Sequence, residues 1–127
     1  MTTFTIEGGA IRDIATLYDE LNRVFMTGED WRLGESLDAL DDMLRGGYGA
    51  LAGTHGIRVV WNGHAASRRA LGREATAEYY RRKLRHPEIF DEGRFRRALA
   101  DLPTGPTYYD IVREIFAAHP EIELILN

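Results

Sequence analysis

Ile57-Arg58-Val59-Val60-Trp61 is the stretch of sequence that decides the fold, and it is bounded by Gly56 and by Asn62-Gly63. It is rich in β-branched residues and nearly continuous in its apolar character. Such a run is typical of a strand that is buried on both faces within a parallel sheet. We therefore predict that residues 57–61 form the central strand of the protein.

Strand and helix patterns alternate on either side of this strand. Phe4-Thr5-Ile6 near the start and Ile122-Glu123-Leu124-Ile125-Leu126 near the end are predicted as two further strands. Apolar residues three and four apart predict a helix after Asp13, which is placed to cap it, and another from Tyr108 to Phe116. This order predicts an α/β fold, a small three-stranded parallel sheet with right-handed crossovers, flanked by helices.

Length and composition bear on the size of the folded unit and on its environment. At 127 residues, of which 44% are hydrophobic, the chain has enough apolar material for one core, so we expect a single domain over residues 1–127. Since there is no Cys, disulfides, thiol catalysis and Cys-based zinc sites are excluded. Neither a secretory leader nor a membrane-length apolar segment is visible, and we expect a cytoplasmic protein that does not contact membranes.

Charge is unevenly distributed along the chain. The net charge is −4, but residues 64–101 carry 10 basic and 6 acidic side chains, whereas the remainder carries 6 basic and 14 acidic ones. The acidic remainder disfavours general binding to nucleic acid, which needs clustered positive charge. It is suited instead to a basic protein partner.

Residues 34–44, which we call the acidic segment, have the spacing of a two-sided helix. Ser36 is placed to cap the start of this helix, and Gly46-Gly47 to close its end. When the segment is wound as a helix, Leu37, Leu40 and Leu44 fall together and are expected to face the core.

The carboxylates of the acidic segment fall on another side of this helix. Asp38 and Asp42 lie one turn apart, Glu35 joins them if the helix extends back that far, and Asp41 lies at the edge of the apolar face. Like charges at this spacing cost an isolated helix about 0.2–0.5 kcal/mol, and Asp is a mediocre helix former. A short helix that concentrates carboxylates against these tendencies has either a merely solvated acidic surface or a binding function.

Several stretches of the chain resemble the barstar family of ribonuclease inhibitors. The acidic segment resembles the family's inhibitory helix through Leu37-Asp38-Ala39-Leu40, Asp42 and Leu44. The resemblance extends to both ends of the chain, through Ile11-Arg12-Asp13-Ile14 and through Ile111-Val112-Arg113-Glu114 ahead of Ile122–Asn127. A resemblance spread over so much of the chain is more specific than a single motif.

The resemblance implies an inhibitor and not an enzyme. Because the sequence has no motif of metal ligands and no phosphate-binding glycine loop, we expect no cofactor and no metal. Carboxylates of such an inhibitor occupy the positions where a basic ribonuclease holds RNA phosphates, so that the active site is blocked. By position, Asp38 and Asp42 match the two helix aspartates that contact the nuclease, and Glu114 matches an acidic contact on the last helix. The partner is then a barnase-like or related toxin nuclease, and the chain is its immunity protein, a monomer when free.

Departures from the family pattern concern the neighbours of these aspartates. Asp41 stands where the archetype has a large aromatic residue, Arg32-Leu33 where it has tyrosines, and Ala118 where it has a second acidic residue. Trp31 is a candidate aromatic anchor from a neighbouring position, and Gly46 is a candidate contact in a glycine-rich loop. The predicted partner contacts are therefore Asp38, Asp42, Glu114, Asp41, Glu35, Gly46 and Trp31.

Residues 66–101 form an Arg-rich insertion relative to the archetype. Residues 67–86 are predicted to be largely helical with an interruption at Gly72, and a second short helix is expected from Asp91 to Leu99. One interpretation is a solvated elaboration whose Arg residues pair with nearby Glu and Asp. The other is a second contact surface, or a patch that masks the acidic segment until the partner arrives.

Other functions compete with inhibition. Asp38 and Asp42 could hold Mg²⁺ for hydrolysis, although no His or Lys accompanies them in sequence. The acidic surface could bind a basic protein other than a nuclease, and the Arg-rich insertion could bind nucleic acid. The inhibitor hypothesis itself requires that the carboxylates of the acidic segment face solvent and are free of internal ion pairs.

Overall fold

A three-stranded parallel sheet lies at the centre of the protein, which is described over residues 1–127 by a computed structural model. The strands are β1 (Thr2–Glu7), β2 (Ile57–Asn62) and β3 (Ile122–Leu126), in the order β1-β2-β3. The predictions of an α/β fold, of a parallel sheet and of a central strand at residues 57–61 are confirmed.

Six α-helices surround the sheet, and their bounds agree with the sequence patterns to within a few residues. They are α1 (Ile14–Phe25), α2 (Leu37–Leu44), α3 (His64–Ala70), α4 (Arg73–Leu84), α5 (Glu92–Asp101) and α6 (Tyr108–Ala117). The predicted interruption at Gly72 separates α3 from α4. As predicted, Asp13 caps α1, where its carboxylate accepts the Thr16 amide N–H at 2.8 Å.

The helices cover one face of the sheet and leave the other partly open. Along β2, Ile57, Val59 and Trp61 are buried, whereas Arg58 and Val60 are only half-buried. The prediction that this strand is buried on both faces is therefore wrong. The reason is topological, because two crossovers of the same hand that step in the same direction across a sheet place their helices on the same face.

A single cluster of 22 buried residues joins the covered face of the sheet to the helices. Trp61 is fully buried within it, and its indole N–H donates to the Ser67 hydroxyl at 3.0 Å. The Ser67 hydroxyl in turn donates to the Gly8 carbonyl at 3.1 Å. This chain of bonds satisfies the buried polar groups that link β2, α3 and the end of β1.

A buried pair of tyrosines makes stability sensitive to alkali. The hydroxyls of Tyr18 on α1 and Tyr108 on α6 are 2.7 Å apart, and burial raises the pKa of Tyr18 to about 12 and also raises the pKa of Tyr108. In the unfolded chain a tyrosine ionises near its ordinary pKa of 10.0. Folding therefore gains stability from the neutral pair below about pH 10 and loses it as the pH rises from there toward the folded value.

We expect the free energy of unfolding, measured with urea, to fall between about pH 10 and pH 12. Because Tyr18→Phe removes one of the two groups, the fall is expected to be shallower in that variant than in the wild type. Equal slopes in the two proteins would show that Tyr18 is not the group responsible.

Candidate functional site

Helix α2 presents its leucines to the core and its carboxylates to the outside. The Ser36 hydroxyl accepts the Ala39 amide N–H at 3.2 Å, which confirms Ser36 as the N-cap. Leu40 and Leu44 are buried as predicted, but Leu37 is only half-buried. Met43, which the sequence analysis did not single out, completes the buried face. The backbone of the acidic segment is thus fixed from behind by apolar packing.

A glycine follows the C-terminal end of α2. Gly46 follows the helix with φ of +84°, a left-handed conformation that favours glycine at this position. A Cβ at Gly46 would also lie 3.3 Å from the Leu51 carbonyl oxygen. Gly46 therefore has a structural role as the residue that ends α2, whether or not it contacts a partner.

Trp31 packs on Tyr48, which in turn bonds to α2. The Tyr48 hydroxyl donates to the Ala39 carbonyl at 2.9 Å, and the Trp31 ring packs edge-on against Tyr48 with centroids 4.7 Å apart. The pKa of Tyr48 is raised, first by burial and then by the negative charge of Asp42. Trp31 is 42% exposed, so a large aromatic surface is held next to the acidic helix.

Asp38 and Asp42 lie one helical turn apart and both are exposed. Asp38 has no ion pair within the chain. The carboxylate of Asp42, whose side chain is 58% exposed, accepts a hydrogen bond from the Arg45 guanidinium at 3.0 Å. The requirement for carboxylates that face solvent and are free of internal ion pairs is therefore met by Asp38. It is not met by Asp42, which is accessible but paired with one surface arginine.

Asp41 is engaged more deeply than its position at the edge of the apolar face predicts. Its carboxylate accepts the Nε2–H of the buried His119 at 2.7 Å and the Arg45 guanidinium at 2.7 Å, and its side chain is only 30% exposed. The other ring nitrogen of His119 lies 3.4 Å from the Glu121 carboxylate. Asp41 thus ties α2 to the chain that follows α6, which leaves it less available to a partner than Asp38 or Asp42.

Sequence reasoning missed the two residues that hold Asp41. Arg45 stands four residues after Asp41, and this spacing is a known signal for an ion pair on a helix. His119 is 78 residues away from Asp41 in sequence, and no local pattern could have joined the two.

The two remaining predicted acidic contacts lie on either side of α2. Because the helix begins at Leu37, Glu35 does not join the face of Asp38 and Asp42, and its carboxylate lies 3.7 Å from Arg82 on α4. Glu114 is exposed on α6, which packs against α2, and it has no ion pair within the chain. Sequence position alone therefore overestimated how far the acidic face extends toward Glu35.

The Arg-rich residues 66–101 pair in part with their own acidic side chains. Glu78 pairs with Arg81 and Arg85, and Glu92 pairs with Arg96. The contact between Arg82 and Glu35 also brings this region against the start of the acidic segment. It is therefore both a solvated elaboration and a neighbour of the acidic helix.

Two further findings bear on the competing functions. No cluster of three or more His, Asp or Glu side chains that could hold a metal ion is found in the chain. Every helix is too short or too polar to cross a membrane.

Comparison with known protein families identifies the family of the chain. Residues 1–92 match the family model of barstar, which is described as the barnase inhibitor. The chain belongs to the barstar family. The match includes β1, α1, α2, β2, α3 and α4, and thus both Asp38 and Asp42, whereas α5, α6 and β3 follow it. Comparison with curated proteins gives no match.

Membership of the barstar family bears on the function, and the extent of the match bears on the predicted contacts. Barstar-family proteins are inhibitors and not enzymes, which agrees with the prediction made for this chain. The match runs into the Arg-rich region as far as residue 92. Glu114 lies beyond the matched residues, so its correspondence to a family contact rests on the sequence resemblance at residues 111–114 and not on this match.

Proposed function

We propose that the protein inhibits a basic ribonuclease by inserting the outer face of α2 into the enzyme's active-site cleft. In this complex the carboxylates of Asp38 and Asp42 take the places of RNA phosphates opposite the cationic side chains of the enzyme. The observation that carries the proposal is the exposed, unpaired carboxylate of Asp38 on a helix whose opposite face is buried. Family membership supplies the class of partner.

The ion pair between Arg45 and Asp42 is compatible with this function. Both side chains are more than half exposed, and surface pairs of this kind contribute only about 0–1 kcal/mol. A guanidinium or ammonium group of the nuclease can displace Arg45 at small cost, since the charge on Asp42 then has a partner shielded from water.

The remaining predicted contacts surround these two aspartates. Trp31 supplies an aromatic surface next to Tyr48, and Glu114 extends the negative charge onto α6. Asp41 acts mainly through His119, by holding α2 in place. We propose further that residues 1–127 act as one domain, a monomer when free, that serves in the cytoplasm as the immunity protein of a toxin nuclease.

Inhibition of RNA cleavage tests the proposal. The purified protein is titrated into a panel of small basic ribonucleases that includes barnase, and the residual cleavage of RNA is measured. We expect at least one enzyme to lose its activity at a 1:1 ratio, with an association rate that falls as salt rises. Full activity of every enzyme at a large excess of the protein would contradict a ribonuclease-inhibitor function.

Arg45→Gln is expected to strengthen inhibition slightly. The substitution frees Asp42, removes the contact of Arg45 to Asp41 and makes the α2 surface more negative. The association rate should therefore rise, and the gain in affinity should not exceed about 1 kcal/mol, or fivefold. The matched control is Arg58→Gln, which frees Glu123 on the open face of the sheet from an ion pair of similar length. A weaker complex for Arg45→Gln would mean that Arg45 itself contacts the nuclease.

A further inference from the structure

Helix α5 is not part of the main core of the protein. None of its residues is buried, and none belongs to the cluster that joins the sheet to the helices. It packs on α4 through Phe95, whose ring centroid lies 6.0 Å from Tyr80 and 6.0 Å from Phe90. Stability of the core therefore does not explain why this helix is placed where it is.

The hairpin of α4 and α5 meets the start of the acidic helix. A groove of about 410 Å³ lies between residues 35–38 on one side and the α4–α5 hairpin on the other, and we call it the hairpin groove. Its lining on the hairpin side is Tyr79, Lys83, residues 89–91, Arg94 and Phe95. Asp38, the unpaired carboxylate of α2, lines this groove. The proposed inhibitory surface therefore continues without interruption onto the hairpin.

Charges of both signs line the hairpin groove. Lys83 is held over the Phe90 ring, with its ammonium 4.0 Å from the ring centroid. Burial and the neighbouring Arg82 lower the pKa of Lys83. Arg94 also lines the groove, and like Lys83 it has no ion pair within the chain. The acidic lining residues are Glu35, Asp38 and Asp91. A loop that places a basic group near Asp38 and a hydrogen-bond acceptor near Arg94 would be complementary to this arrangement.

Exposed apolar side chains border the acidic helix on two sides. Only three large apolar residues are exposed, and apart from the terminal Met1 they are Trp31 and Ile89. Trp31 is next to α2 through Tyr48, and Ile89, which is 69% exposed, is at the rim of the hairpin groove. Apolar anchors beside a polar contact are the usual arrangement of a protein interface.

We propose that the hairpin groove is a second contact surface for the ribonuclease, with Ile89 as its apolar anchor. This inference rests on the proposed function and names how the partner is selected. The occupant is a surface loop of the nuclease that packs an apolar side chain on Ile89, offers a basic group to Asp38 and offers a carbonyl or carboxylate to Arg94. In this way the groove discriminates among basic nucleases whose active sites can all bind the Asp42 carboxylate.

Kinetics of binding to a ribonuclease that the wild-type protein inhibits test this inference. Ile89→Ser is expected to weaken the complex roughly tenfold, mainly through faster dissociation, because an apolar anchor is lost. Its control is Glu88→Ser, since Glu88 is the exposed neighbour of Ile89 but does not line the groove, and here the change should be under about twofold. Arg94→Glu should weaken the same complex, and all three variants should keep the wild-type melting temperature.

The outcomes separate this inference from the proposed function. If Ile89→Ser and Arg94→Glu both bind as tightly as the wild type while Asp42→Asn does not, the groove is not a contact surface and inhibition through α2 stands. If the wild-type protein binds no ribonuclease of the panel, the proposed function fails and the inference fails with it.

Discussion

Asp42→Asn is expected to weaken the complex with the ribonuclease by about 2–5 kcal/mol, or roughly 30-fold to a few thousandfold. The reason is that the enzyme's cationic side chains remain buried in the complex without their counter-charge. The amide has almost the same shape as the carboxylate, and Asp42 is exposed in the free protein, so the fold should not change. Calorimetric titration of both proteins into the nuclease measures the difference.

Glu123→Gln is the matched control for this experiment. Glu123 is also an exposed carboxylate paired with an exposed arginine, but it lies on β3 at the open face of the sheet. Neutralising it changes the net charge equally and should alter the affinity by under about 0.5 kcal/mol. Similar losses for both substitutions would mean that net charge, and not the α2 surface, controls binding.

Leu40→Ala is expected to lower the free energy of unfolding by about 2–5 kcal/mol. Leu40 is fully buried at the back of α2, and removal of its side chain leaves a cavity between this helix and the core. Because the free energy of unfolding of a native domain is only about 5–15 kcal/mol, a loss of this size is a large part of the total. Urea denaturation monitored by circular dichroism measures it.

Leu37→Ala on the same helix provides the comparison. Leu37 is only half-buried, so its truncation should cost clearly less than that of Leu40. Equal costs for the two substitutions would contradict this, because they would show that Leu37 supports the acidic helix as much as Leu40 does.

The parts of the fold that could be predicted from sequence are those set by local patterns. The β-branched run at residues 57–61 identified the central strand, and Asp13 and Ser36 marked the starts of α1 and α2. These signals act within a few residues, and tertiary packing here agrees with them. The burial of β2 was overestimated because an apolar run does not show on which face the crossovers place their helices.

Helix periodicity predicted where the carboxylates lie on α2, but not which of them make contacts elsewhere in the fold. Spacing placed Asp38 and Asp42 together, and the structure keeps both on the exposed face of α2. Spacing could not show that His119 holds Asp41, or that Arg82 draws Glu35 toward α4, because those contacts join residues far apart in the chain. Long-range contacts of this kind decide which carboxylates of an acidic helix stay available to a partner.

Competition with a nucleotide tests most directly whether the carboxylates of α2 replace phosphates. A ribonuclease that the protein inhibits is first saturated with a mononucleotide bound in its active site, and the protein is then titrated in. We expect the two to exclude each other, so that the apparent affinity of the protein falls in proportion to nucleotide occupancy. A ternary complex formed with unchanged affinity would show that the carboxylates of α2 do not replace phosphates in the active site.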